Sequence, residues 1–225
     1  MRIDREQFLT QELRTLGLSD AQIGQAIAST PVQAAVGLKG LDELARKSID
    51  FETRKSAGIS FAAGLPGGFA MLVTVPADVT QYYVHAFRIM QKLTYLYGWQ
   101  DLLGDLDEAD DETIGRLALF LGVMLGVAGA ATSLTIFAQH VAQPALQQQI
   151  TKQALTKTAW YPVMKRTLAL IGVKVTKDSF AKAVTKVVPV LSGAISGGMT
   201  LVMLKSQADR LRTHLRELPP PRADA

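Results

Sequence analysis

The 225-residue chain contains no cysteine, which excludes disulfides and thiolate metal sites. Aromatic residues make up 7% and charged residues 20%, the latter below the roughly 25% common in soluble domains. The three histidines, His85, His140 and His214, are too far apart to form a ligand pair at helical spacing, so no metal site is expected. No Gly-Lys-Ser/Thr phosphate loop occurs, and Ser60 in Gly-Ile-Ser-Phe-Ala lacks the second glycine of a nucleophile elbow and follows no strand. Strand-like alternation is nearly missing, with Val173 to Thr176 the one short candidate. The opening Met1-Arg2-Ile3-Asp4-Arg5-Glu6 mixes charges where a signal peptide has a basic start and an apolar run. What these absences leave is an all-α protein with no cofactor and no catalytic residue to nominate, read as a binding protein rather than an enzyme.

What the chain has instead is uncharged length. Three runs, 56–77, 117–139 and 187–204, contain no Asp, Glu, Lys or Arg, and the mean hydropathy is +0.16. A membrane-spanning helix needs about 20 apolar residues, and the middle run has them. In the first run, Leu65-Pro66-Gly67-Gly68 has the composition of a type II turn. That predicts a helical hairpin with arms of about nine residues, each reaching about 14 Å, buried in protein or dipping into one leaflet. Glycines recur at helical spacing: Gly122, Gly126 and Gly129 with Ser133 in the middle run, and Gly193 and Gly197 with Thr200 in the last, where Gly198 adjoins them; Gly64, Gly67 and Gly68 surround the turn. Aligned glycines permit close backbone approach, either in a zipper at a membrane or in a tight soluble core.

Helical periodicity and capping residues divide the chain. A first helix is expected over 4–16. Ser19 and Gln22 form a capping box for a second helix ending at Ala28, and Thr30-Pro31 opens a third that runs through Leu38, Leu41, Leu44, Ala45 and Ile49. Pro76 is expected in the first turn of a long helix that stops before Gly98, and another long helix is expected over 113–140. Shorter helices follow over 144–155, 159–170 and 177–188, with the last from about Pro189 to Leu218. The segmentation is therefore 1–40 as an amino-terminal helical segment, 41–218 as a single helical domain with glycine-rich apolar hairpins packed in its core or against a membrane, and 219–225 as a disordered tail.

Charge is unevenly placed. Residues 1–142 hold 11 Lys+Arg against 16 Asp+Glu, and residues 143–225 hold 13 against 4. The basic part lacks a nucleic-acid module and stacking aromatics, so anionic lipid is the expected partner, contacted by Lys205, Arg210, Arg212 and Arg216, with a solvated basic face as the alternative. Asp78, Gln81, Tyr82, His85 and Arg88 form one polar stripe, suited to a polar headgroup or proton transfer, or equally to a satisfied network in a helical core. Six carboxylates among residues 105–112 lack the order of a calcium loop and suit a helix amino terminus. Trp99, Trp160 and Tyr161 flank apolar segments, as at a membrane interface or a core edge.

As a set, LPGGFAMLVTVPADVTQYYVHAFRIMQKLTYLYGWQDLL, GRLALFLGVMLGVAGA and VVPVLSGAISGGMTLVMLKSQADRLRTHL resemble the EcsC family, over about residues 40–218. The family takes its name from a bacterial operon that also encodes an ABC transporter. The resemblance implies a helical bacterial protein and carries over no catalytic residue. Two classes of function remain open. One is a non-catalytic membrane-associated protein, cytoplasmic and peripheral to or inserted in the inner membrane, that binds lipid or inserts its hairpins. The other is a soluble cytoplasmic interaction or regulatory protein acting on a membrane transporter or envelope component.

Overall fold

The computed structural model describes residues 3–64, 71–99, 111–141 and 197–218. These residues form seven helices and, among themselves, no strand: α1 (Arg5–Arg14), α2 (Asp20–Ala28), α3 (Leu38–Gly64), α4 (Met71–Leu96), α5 (Asp111–Leu125), α6 (Ala130–Val141) and α7 (Gly197–Glu217). The protein is all-α, as its helical periodicity leads one to expect.

The helix starts follow from local chemistry. Asp4 accepts the Gln7 N–H at 2.7 Å, and Ser19 with Gln22 closes a reciprocal capping box, satisfying amide groups that the first turn leaves unpaired. The Arg5 guanidinium donates to the carbonyls of Ile27 at 2.8 Å and Ser29 at 2.7 Å, placing a cation at the α2 carboxyl terminus. Thr30 also caps, accepting from the Gln33 N–H at 3.1 Å, but the segment is a single turn rather than the start of the third helix. Ala35 adopts φ 57°, a left-handed conformation that ends helical propagation, and α3 begins at Leu38. It then runs on to Gly64 as 27 residues, so the first arm of the expected hairpin is the end of a long helix and not a nine-residue piece.

The chain resumes in α4 at Met71, which puts Pro76 in the second turn rather than the first, where it withholds one backbone donor. The Leu65-Pro66-Gly67-Gly68 turn itself lies outside the described residues, as do Gly193, the short helices expected between 144 and 188, Val173 to Thr176, Trp160, Tyr161 and the tail. At the other end of α4, Gly98 takes φ 86° and the Trp99 N–H reaches back to the Thr94 carbonyl at 2.8 Å, a glycine-terminated cap as expected from sequence.

The long helix expected over 113–140 is two helices. Gly126 adopts φ 72° and Gly129 φ 84°; the Val127 N–H bonds the Gly122 carbonyl at 2.8 Å and the Gly126 N–H bonds that of Val123 at 3.1 Å. These bonds close α5 with a Schellman cap. Gly126 and Gly129 therefore break the helix instead of lining one face of it, and the run that was long enough to span a bilayer is cut. Among the described residues no helix is long and apolar enough to cross a membrane.

α3, α4 and α7 form the centre. Paired positions fix their directions: Asp42 meets Tyr97 and Glu52 meets Arg88, so α3 and α4 are antiparallel; Asp42 meets Arg212 and Asp50 meets Lys205, so α3 and α7 are antiparallel too. α1 packs on α4 through Phe8 against Tyr95, 6.4 Å between ring centres, and α5 and α6 close over Trp99. Phe8, Leu9, Leu13 and Ile23 belong to the same apolar core as Leu41, Leu93, Phe120 and Leu211, so the amino-terminal helices pack onto the core of the rest.

Candidate functional site

On α3, positions 41, 45, 48, 52 and 56 follow one helical stripe, and all five residues are buried, although the fourth is a glutamate. Glu52 has no exposed surface, and three donors from α4 converge on it. His85 Nδ1–H donates to Oε2 at 2.6 Å, Arg88 Nε donates to both oxygens at 3.1 and 3.2 Å, and Lys92 Nζ approaches Oε1 at 2.6 Å. Residues 85, 88 and 92 lie three and four apart, on one face of α4. Burial acts to raise the Glu52 pKa, but the His85 and Lys92 hydrogen bonds and the charges of Lys92 and Arg88 outweigh it, bringing the carboxyl from 4.5 down to about 2. An anion so well held is a poor proton acceptor near neutral pH.

Of the polar stripe read from sequence, the structure thus unites His85 and Arg88 on one carboxylate. Tyr82 turns elsewhere: its hydroxyl donates to Gln207 on α7. Burial, with Tyr83 beside it, raises the Tyr82 pKa against that bond. The side chains of Asp78 and Gln81 lie outside the described residues. Sequence reading missed Glu52 and Lys92. The signals for them were faint: Glu52 shares the stripe of Leu41, Ala45 and Ser48 but stands among charged neighbours, and Lys92 continues the spacing beyond Arg88.

A groove of about 610 Å³ opens beside this network, between α1, α3 and α4. Arg88, 30% exposed, and Lys92, 10% exposed, reach it from α4. Phe8 and Phe51 supply apolar surface, their ring centres 5.8 and 4.9 Å from Lys92 Nζ. Ser48 lines it as well, buried and with no hydrogen-bond partner for its hydroxyl among the described residues, while Asp4 and Glu12 line the α1 side.

Three of the four cations expected to meet lipid hold partners within the protein, while Lys205, Arg210 and Arg216 keep contact with solvent. Lys205 pairs with Asp50; Arg210 donates to the Met124 carbonyl at 2.7 Å, at the end of α5; Arg212 bridges buried Asp42 and Asp209. Arg216 is exposed. Asp42 also accepts from the Tyr97 hydroxyl at 3.1 Å and forms an ion pair with Arg46 at 3.1 Å. Burial raises the pKa of Asp42, but the Arg212 and Tyr97 hydrogen bonds and the charges of Arg212 and Arg46 hold it below its ordinary value. Tyr97 moves the opposite way, through burial and the charge of Asp42.

The glycines also divide. Gly122 is buried in α5. At Gly126 an added Cβ would stand 2.6 Å from Arg210 Nη1, so the close approach between α5 and α7 is to an arginine in the carboxyl-terminal half of α7. Gly197 and Gly198 are the first described residues of α7 and Gly64 the last of α3; Gly67 and Gly68 belong to the turn already placed outside the described residues. Trp99 is a core residue rather than an interface one: 1% exposed, stacked on Phe137 at 6.1 Å and edge-on to Phe120 at 5.4 Å.

The antiparallel pairing has one further result. It brings residues 56–64 of α3, 71–77 of α4 and 197–204 of α7 to the same pole of the bundle, and none of these residues is charged. Val202, 65% exposed, and Met203 stand open near that pole. Among the described residues no group of His, Asp or Glu could hold a metal ion. No family model matches the chain, and no curated protein or solved structure matches it either.

Proposed function

We propose that this chain is a non-catalytic, membrane-associated helical protein of the EcsC-like type that lays its uncharged pole against or into one leaflet at the cytoplasmic face of a bacterial inner membrane. The observation that carries this reading is the gathering of three uncharged helix ends at one pole, with Val202 and Met203 exposed beside it. At about 1.5 Å per residue, nine residues of α3 reach about 14 Å, half the roughly 30 Å hydrocarbon core, which suits entry into one leaflet.

The contact is proposed as mainly apolar, with the surface cations Lys205, Arg210 and Arg216 adding at most a screened ionic part, since the first two also hold partners within the protein. Vesicle flotation tests it. The protein should float with liposomes and stay bound at about 1 M salt, where screening acts within about 3 Å, and detergent should release it. Val202→Glu and Met203→Glu alter exposed side chains and should leave the melting temperature in place. Each withholds a side-chain burial worth about 1.5–3 kcal/mol, so each should weaken flotation by about tenfold or more. Flotation that is unchanged in both variants sinks the proposal. Wild-type protein that never floats does so too, and directs the exposed pair toward a protein partner such as a transporter or another envelope component.

A further inference from the structure

The groove between α1, α3 and α4 is built for a ligand with charge at both ends. On its α4 side, Arg88 engages Glu52 through Nε alone, leaving its two terminal nitrogens without a hydrogen-bond partner among the described residues. Lys92 shares the same carboxylate, so among the described residues two basic side chains face one anion. Ser48 adds a buried hydroxyl that has no hydrogen-bond partner among the described residues. A planar guanidinium edge, an ammonium and a free hydroxyl together match the oxygens of a phosphate. The α1 side carries the opposite sign. Asp4 has one oxygen on the Gln7 amide, and the Glu12 carboxylate has no hydrogen bond or ion pair among the described residues. Lys47, also at the groove, is turned to Glu43 at 3.3 Å. A phosphate alone meets two carboxylates across the groove, and an amine alone meets the α4 cations. A molecule bearing both meets each wall with the right sign, its short alkyl link lying on Phe8 and Phe51.

We propose that this groove binds an aminoalkyl phosphate, with its phosphate on Arg88, Lys92 and Ser48 and its ammonium toward Asp4 and Glu12. The site does not rest on the membrane reading, since its ligand can be a free metabolite or the headgroup of a phospholipid.

Isothermal titration of the full chain with phosphoethanolamine, inorganic phosphate and ethanolamine tests the proposal. Phosphoethanolamine should bind at least about tenfold more tightly than either half, a difference of about 1.4 kcal/mol. Ser48→Ala removes a hydroxyl with no partner among the described residues, so the variant should melt like the wild type while binding phosphoethanolamine about tenfold more weakly. Glu12→Gln should also fold normally and should lower the affinity for phosphoethanolamine toward that for inorganic phosphate. Phosphatidylethanolamine vesicles that displace phosphoethanolamine point to the lipid as source, and vesicles that leave it bound point to the free compound. No heat with any of the three probes at millimolar concentration overturns the site, and so does binding that both variants leave unchanged.

Discussion

Replacing Glu52 by Gln keeps the shape of the side chain and removes the one anion that His85, Arg88 and Lys92 share. Breaking a buried ion pair from one side costs about 3–5 kcal/mol, and because Arg88 is 30% exposed and water reaches it through the groove, the lower end applies. The titration of Glu52 gives a second route to the magnitude. A carboxyl that titrates at 4.5 when unfolded and at about 2 when folded contributes on the order of 3 kcal/mol at neutral pH. Because the folded value lies below the unfolded one, that contribution is complete above pH 4.5 and is lost as the pH falls toward 2. Urea denaturation of wild type and Glu52→Gln at a series of pH values should therefore show a gap of about 3 kcal/mol at pH 7. The gap should narrow to about 1 kcal/mol or less near pH 2. A gap under about 1 kcal/mol at pH 7, or one that does not change with pH, would refute the account of Glu52 as an ionised, internally paired group.

Three further outcomes are expected. Tyr97→Phe removes the hydroxyl that donates to Asp42 at 3.1 Å and should destabilise the protein by about 1.5–3 kcal/mol, read from the urea midpoint. Gly126→Ala places a Cβ at φ 72° and within 2.6 Å of Arg210 Nη1; strain and a displaced cap should together lower stability by about 1–2 kcal/mol, and a melting curve that matches the wild type would argue against the break between α5 and α6. Ser19→Ala opens the capping box and should lower stability by about 1 kcal/mol, with hydrogen exchange rising first at the α2 amides.

Asp4, Ser19 with Gln22, and Gly98 could be read from the chain because caps and terminating glycines act within four or five residues, and the structure uses each of them where local rules put it. Gly126 and Gly129 could not. At helical spacing they look like a packing stripe, and whether such a glycine continues a helix or takes a positive φ depends on distant groups, here the Arg210 guanidinium that receives the end of α5. The same distance hid the roles of Lys205 and Arg212, whose partners Asp50 and Asp42 lie on a helix far earlier in the chain. The buried network was half legible: helical spacing selected His85 and Arg88, whereas Glu52 was masked by the charged residues on either side of it, Asp50, Arg54 and Lys55.

The seating of α7 on α3 also determines how this protein assembles. Its bonds from Lys205 to Asp50 and from Arg212 to Asp42 join residues 155 and 170 positions apart. Closing a loop of that length costs about 2 kcal/mol more in chain entropy than closing one of ten residues, a barrier that most small helical bundles, with their local contacts, do not meet. The α1–α2 and α3–α4 pairs can form from neighbouring sequence, while α7 must find its place across the whole chain. It acts as a late latch. Before it docks, Asp42, Asp50 and the apolar strip between them lie uncovered, so the slowest folding phase should report on α7, and weakening the Arg212 clasp should hasten its release more than it delays its capture.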